Sequence, residues 1–395
     1  MNEVQRVARQ GFILEKNDLD LAFLSLRIAL KSYFSTYNII RNKFSRNASE
    51  LDRDLDGNTR YCEACAESIV HFQHFFELII KDILRKDHLL LASRSYSDPN
   101  ILYKILHKRP LTFDEEQNLQ SIEFSDALKT ICKLIESSQI KNFNKIGFIK
   151  ENKSSLEELN RLRNRVWHRG AFFLFYTKLD EFMGKFILPL VENTTNLYRY
   201  KKVGFLWKCK HTECGVDPIK YICEEYKKNN KPDIGKIALL KEIGRAAYSN
   251  PLHDKKVIAE RKHKRSVKIN KQIKEHEMRG EEIPKRLLIS KGMANLHERM
   301  AAQLDEPYIK KAIKMSKHEA EETFFVIRNC PICGVKSLVL YDETESIEDY
   351  KTGKYIHFNF IHTAKCECCS FEIELKLEIE KYNLPIDDYW KVKDI

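Results

Sequence analysis

Residues 62 to 94 read CEACAESIVHFQHFFELIIKDILRKDHLLLASR, with Ile69, Phe72, Phe76, Ile79 and Ile83 recurring at three- and four-residue steps. That period matches a helix with one apolar stripe and not a strand, whose period is two. The same pattern extends to both sides. Upstream, LDLAFLSLRIALKSYFSTYNIIRNKF (19 to 44) is a second long amphipathic stretch. Downstream, SIEFSDALKTICKLIES (121 to 137) opens with Ser125 and Asp126, the residue types that start helices. SSLEELNRLRNRVWHRG (154 to 170) and AFFLFYTKLDEFMGKFILPLVENTTNLYRY (171 to 200) follow. Glycine and proline are sparse throughout, and helices of this number and length suit a bundle.

Composition narrows the class. A chain of 395 residues that is 43% hydrophobic has enough apolar material for folded cores, so wholesale disorder is excluded. The 68 Lys and Arg against 57 Asp and Glu leave a formal net charge of +11, a moderate excess that points to an anionic partner, nucleic acid being the commonest. The N-terminal stretch MNEVQRVARQGFILEKNDLDLAFL places acidic residues where a signal peptide needs an apolar core. The runs LLLA (89 to 92) and FILPLV (186 to 191) are far too short to span a bilayer. The expectation is a cytoplasmic protein with no membrane partner. In that compartment eleven cysteines are poor material for disulfides; buried thiols and metal ligands are the alternatives.

From about residue 201 the character changes. WKCKHTECGVDP (207 to 218) is rich in turn formers, and HDKKVIAERKHKRSVKINKQIKEHEMRG (253 to 280) is a basic helical run. The run reads either as a solvated connector or as an arm whose Lys262, Lys264, Arg265 and Lys268 contact phosphates. The final part, FFVIRNCPICGVKSLVLYDE and KYIHFNFIHTAKCECCSFEIELKLEIE, alternates apolar and polar residues and is rich in β-branched and aromatic side chains, which is hairpin chemistry. The expected fold is mainly α: a helical bundle over 1–200, a basic helical region over 201–322, and a small β domain over 323–395.

Two constellations carry chemistry. Cys330-Pro-Ile-Cys333-Gly334 forms a tight turn that aims two sulfurs at one ion, and Cys366 with Cys369 repeats the spacing. Four thiolates from two such turns make a closed tetrahedral site, so the expected cofactor is a structural zinc in a zinc ribbon. CECC leaves either Cys366 or Cys368 as the third ligand, with the two-residue spacing favouring Cys366. A looser set, Cys209, His211, Cys214 and Cys223, has irregular spacing and no matching pair.

The second constellation is RNRVWHRG, residues 163 to 170. With successive residues turned by about 100° on a helix, Leu159, Leu162 and Val166 share a buried arc. Asn160, Asn164 and His168 share another, and Arg161, Arg165 and Arg169 a third. Arg163 stands at the edge of the apolar arc beside Trp167, where leucine is the ordinary choice. A guanidinium there needs a partner, either a carboxylate such as Glu77 or an anion bound at an interface.

RNRVWH resembles the Arg-polar-x-x-x-His motif of the HEPN (higher eukaryotes and prokaryotes nucleotide-binding) superfamily. HFQHFFELIIKDIL, with Glu77 and Lys81, resembles the long helix of that bundle, and SIEFSDALKTI the next one, so the likeness covers roughly residues 1 to 200. The resemblance implies Arg163 and His168 as a catalytic pair and Asn164 as the polar position. It also implies a homodimer through the bundle that brings two motifs together, and metal-independent cleavage of RNA, as in toxins and phage-defence effectors. The chemistry is coherent in its own right. Cleavage through the ribose 2′-OH needs a base, an acid, and positive charge on the phosphorane; histidine supplies the first two near neutral pH and arginine the third. Arg161, Arg165 and Arg169 would steer the RNA backbone. This chemistry requires no metal, which fits the absence of any carboxylate cluster with metal spacing in the bundle. The rival reading is a non-catalytic nucleic-acid-binding zinc-ribbon protein that uses the bundle for dimerisation or nucleotide binding. A toxin held off by a regulatory protein partner is a third.

Overall fold

A computed structural model describes most of residues 18–250, residues 270–279 and 309–317, and most of residues 326–389; side chains at 167–169, 342–349 and 354–362 lie outside that description. The protein is mainly helical with a small C-terminal antiparallel sheet. Its chain divides into two compact units, Met1–Ile40 with Ser49–Lys208, and Arg41–Ala48 with Cys209–Ile395.

The first unit is built on two long helices. Helix α1 (Asp18–Ile40) lies along α3 (Thr59–Asp87), with the short α2 (Ala48–Arg53) between them in sequence. Phe23, Leu26, Leu30, Tyr33, Phe34 and Tyr37 of α1 are fully buried or nearly so, and they meet the apolar face of α3. Phe23 and Phe75 pack edge-on with ring centroids 5.7 Å apart. Asn58 caps α3: its side chain accepts a 3.0 Å hydrogen bond from the Tyr61 backbone N–H, which would otherwise be an orphan of the first turn.

The buried face of α3 is broader than the sequence stripe. Phe75, Ile80 and Leu84 are buried as well, whereas Ile83 is only half-buried. The reason is that α3 is flanked on more than one side. Helices α5 (Phe124–Glu136) and α7 (Lys153–Arg169) pack on it as well as α1. Between these lie α4 (Pro99–Leu106), a two-residue antiparallel pair β1 (Ser93–Arg94) with β2 (Gln120–Ser121), and α6 (Phe143–Glu151). Leu156, Leu159 and Leu162 fill the core side of α7, while Val166, nearer the helix end, is half-buried.

The unit closes with α8 (Tyr176–Phe182), a wide π-turn (Met183–Ile187), α9 (Leu188–Asn196) and α10 (Tyr198–Lys201). Pro189 accounts for the π-turn. It has no N–H to donate and its ring would meet the carbonyl four residues back, so the Leu188 N–H reaches instead to the Met183 carbonyl.

The second unit contains α11 (Pro218–Lys228), α12 (Ile234–Ser249) and the helical stretches 270–278 and 309–317. Its four-stranded sheet has the order β3 (Val326–Asn329), β4 (Lys336–Asp349), β5 (Lys354–Cys366), β6 (Glu372–Glu374), all antiparallel. Irregularities at Arg328/Asn329 and Tyr341/Asp342 bend β3 and β4. Helix α12 is buried from Ile237 through Tyr248, on every face, and packs on β6. A helix buried on every face belongs in a core, so this part of the stretch read as a basic helical region is core material.

Candidate functional site

Helix α7 runs unbroken through the RNRVWH motif to Arg169, so Arg163, Asn164 and His168 sit on one helix with His168 in its last turn. Arg163 is half-buried as a residue, and its Nη1 donates to Asn164 Oδ1 at 3.0 Å in a solvent-exposed bond. The polar residue after the arginine thus steadies the fork. Arg161 is exposed and its Nε donates to Glu158 Oε2 at 2.6 Å; Arg165 is half-buried. The side chains of Trp167, His168 and Arg169 lie outside the described residues, and so do Lys262, Lys264, Arg265 and Lys268.

Opposite Arg163, α3 contributes a polar line that the sequence spacing only partly showed. His74 Nδ1 lies 2.8 Å from the Ser25 hydroxyl of α1. Glu77 accepts from Lys81 Nζ at 2.5 Å and from Gln73 Nε2 at 3.0 Å. Burial lowers the His74 pKa; the charges of His71, Lys81 and Arg163 lower it further, against the pull of Glu77. Burial alone would raise Glu77, but the hydrogen bond and charge of Lys81, with help from Gln73 and His74, hold its carboxyl below the ordinary value. His74 therefore stays neutral at pH 7 and Glu77 stays ionised. Residues 73, 74, 77 and 81 fall at helical spacing on one side of α3, a signal visible in HFQHFFELIIK. Its pairing with Ser25 needed the α1–α3 contact and was not visible.

The four-cysteine constellation is assembled in the second unit. Cys330, Cys333, Cys366 and Cys369 are buried, and their sulfurs all lie within 4.8 Å of one another. Cys330 and Cys369 sulfurs are 3.6 Å apart, and those of Cys333 and Cys366 are 3.7 Å apart. Tetrahedral thiolates about 2.3 Å from a zinc ion stand about 3.8 Å from each other, so the set can hold a metal ion. Cys368 is also buried and close to Cys333, but it is outside this mutually close set.

Each knuckle ends in left-handed backbone: Gly334 at φ +76° and, in the matching position after Cys369, Ser370 at φ +56°. A side chain at Gly334 would also bring its Cβ to 3.0 Å from Glu213 Oε2. Hydrogen bonds from Cys330, Cys366 and other neighbouring thiols push Cys333 far down, whereas burial drives Cys330 up. The group shares its protons unevenly, and a metal would displace them all.

Two supports hold the knuckles. The Glu213 and Cys214 N–H groups donate to the Ile332 and Pro331 carbonyls at 3.2 and 2.8 Å. Burial raises the Cys214 thiol, Cys223 is buried, and Cys209 and His211 lie outside the described residues. From α12, Arg245 donates to Ser370 through Nη1 at 3.2 Å and through Nη2 to its carbonyl. Arg245 is itself gripped by Glu242 at 2.7 and 2.6 Å, and Glu242 accepts from the Glu372 N–H at 2.9 Å. Glu242 is fully buried. Arg245→Ala should strand that carboxylate and cost about 3–5 kcal/mol in denaturant unfolding of this unit. Sequence reasoning missed the pair because IALLKEIGRAA gives no amphipathic period.

Among the described residues no helix is long and apolar enough to cross a membrane. Compared with protein-family models, curated proteins and solved structures, the chain matches none.

Proposed function

We propose that the helical unit is a metal-independent endoribonuclease of the HEPN type, acting as a homodimer, and that the second unit is stabilised by structural zinc. The observation that carries the reading is the state of Arg163. It stands half-open on α7, fixed by Asn164 one residue on, five residues before His168, and electrostatically coupled to His74 across the α3–α7 contact. An arginine oriented by the amide beside it, five residues before a histidine, suits a transient anion, and a phosphorane is such an anion.

In this mechanism His168 takes the proton from the ribose 2′-OH, and a second histidine, from the partner's copy of the motif, protonates the departing 5′-oxygen. Arg163 carries the charge that develops between them. Arg161, Arg165 and Arg169 guide the strand. A toxin-like or phage-defence role fits such an enzyme, with a regulatory protein to restrain it. Four buried thiolates in a closed set suit zinc, which would lock both knuckles together and take no part in cleavage.

The basic run has its own test. Neutralising Lys262, Lys264, Arg265 and Lys268 together should weaken RNA binding and lower the slope of log affinity against log salt by roughly 0.7 per lost phosphate contact on single strands. An unchanged affinity and slope would make the run a connector. The whole functional reading is tested by RNA cleavage with Arg163 and His168 variants.

A further inference from the structure

The first unit contains a cavity of about 330 Å³ away from the RNRVWH motif, between the C-terminal end of α3, the start of α6 and the α9–α10 junction. Its lining is chemically divided. Ile83, Ile140, Ile146 and Leu197 make an apolar wall. Tyr198, an aromatic ring left 79% exposed, stands beside it. The remaining lining is mostly cationic: Lys86, Lys141, Lys145 and Arg199.

Among the described residues, the three lysines, Lys86, Lys141 and Lys145, lack carboxylate partners. Arg199 binds Asp82 through Nη2 at 2.5 Å, but its Nε is buried with no hydrogen-bond partner. Tyr200 also donates to Asp82, at 2.9 Å, so that carboxylate is already satisfied. Asp87 is the other acid of the lining, leaving four cations against two carboxylates. The start of α6 adds to the same side. Asn142 opens the helix in the left-handed conformation, at φ 60°, and its side chain makes no capping bond, so the positive end of the helix dipole adds to the cationic side of the lining.

An unpartnered buried N–H, three unpaired ammonium groups and an uncapped helix start all favour a multiply charged anion. The apolar wall and the exposed tyrosine add an attraction that a bare anion cannot use. We infer that this cavity binds a small phosphate-bearing ligand with an apolar or ring-shaped body, held by Lys86, Lys141, Lys145 and Arg199 at its phosphate and by Ile83, Ile140 and Leu197 along its body. The volume is at the small end of ligand sites, which suits one ring and one phosphate and not a macromolecule. The inference is independent of the ribonuclease reading.

Calorimetric titration of the full chain with phenyl phosphate, and separately with inorganic phosphate, tests it. Phenyl phosphate should bind saturably and more tightly than inorganic phosphate. The double variant Lys141→Ala/Lys145→Ala, whose side chains are exposed and whose loss leaves the core intact, should weaken phenyl phosphate by at least about tenfold, the equivalent of one lost charge-assisted contact. Leu197→Ala, at a half-buried position of the apolar wall, should weaken phenyl phosphate while leaving inorganic phosphate within about twofold, since only the body contact is reduced. Absence of saturable binding, or a double variant that binds as the parent does, overturns the inference.

Discussion

His168→Ala should reduce RNA cleavage by at least a hundredfold, roughly the loss typical of removing one essential transition-state contact. The fold should survive, because the residue lies in the last turn of α7 and not in the leucine row that anchors the helix. Arg163→Ala should lose about as much, by leaving the phosphorane charge unanswered. Asn164→Ala should be milder: it frees the guanidinium from a single 3.0 Å bond and removes no reacting group. Arg163→Lys separates the two explanations of this position. A lysine keeps the charge but not the planar fork, so a catalytic arginine predicts that activity stays low in a fully folded protein. Mixing Arg163→Ala with His168→Ala should restore part of the activity if each cleft draws on both subunits. Single variants that cut at the parental rate would hand the bundle back to dimerisation or nucleotide binding.

Cys333→Ser should release the metal, taking zinc content from about one ion per chain to near zero. Apparent binding energies of structural zinc reach about 10 kcal/mol or more, and in this unit the ion would replace mutual repulsion among four buried sulfurs. Losing it should loosen the strands that carry the knuckles. Near-ultraviolet circular dichroism and limited proteolysis would show this as cleavage within 326–374, with the helices of the first unit still protected. Cys366→Ser should release the zinc in the same way, whereas Cys368→Ser should leave it in place, since the Cys368 sulfur is outside the mutually close set. The reverse pattern for these two would make Cys368 the third ligand.

The long helices were legible because one apolar stripe at a regular period leaves few alternatives, and α1, α3, α5 and α7 appear where that period runs. The cysteine pairs were legible because two sulfurs two residues apart, followed by a residue that tolerates left-handed backbone, have little else to do. Ser370 shows the limit of that rule: it adopts the conformation of Gly334 without being glycine, helped by the Arg245 contacts. Helix α12 was hidden for the opposite reason. Being buried on all faces, with Lys241, Glu242 and Arg245 interspersed among its apolar residues, it offers no stripe to find. The Ser25–His74 bond and the cavity near Arg199 join residues far apart in the chain, and periodicity says nothing about such meetings.

RNA cleavage is most directly read from the chemistry of its product ends. Purified protein should be incubated with a 5′-labelled single-stranded RNA in excess EDTA and the new 3′ ends identified by mass spectrometry. A histidine–arginine site that uses the ribose 2′-OH predicts undiminished cleavage and ends bearing a 2′,3′-cyclic phosphate or its opened form. No cleavage of any RNA, or products ending in a free 3′-hydroxyl, would contradict it.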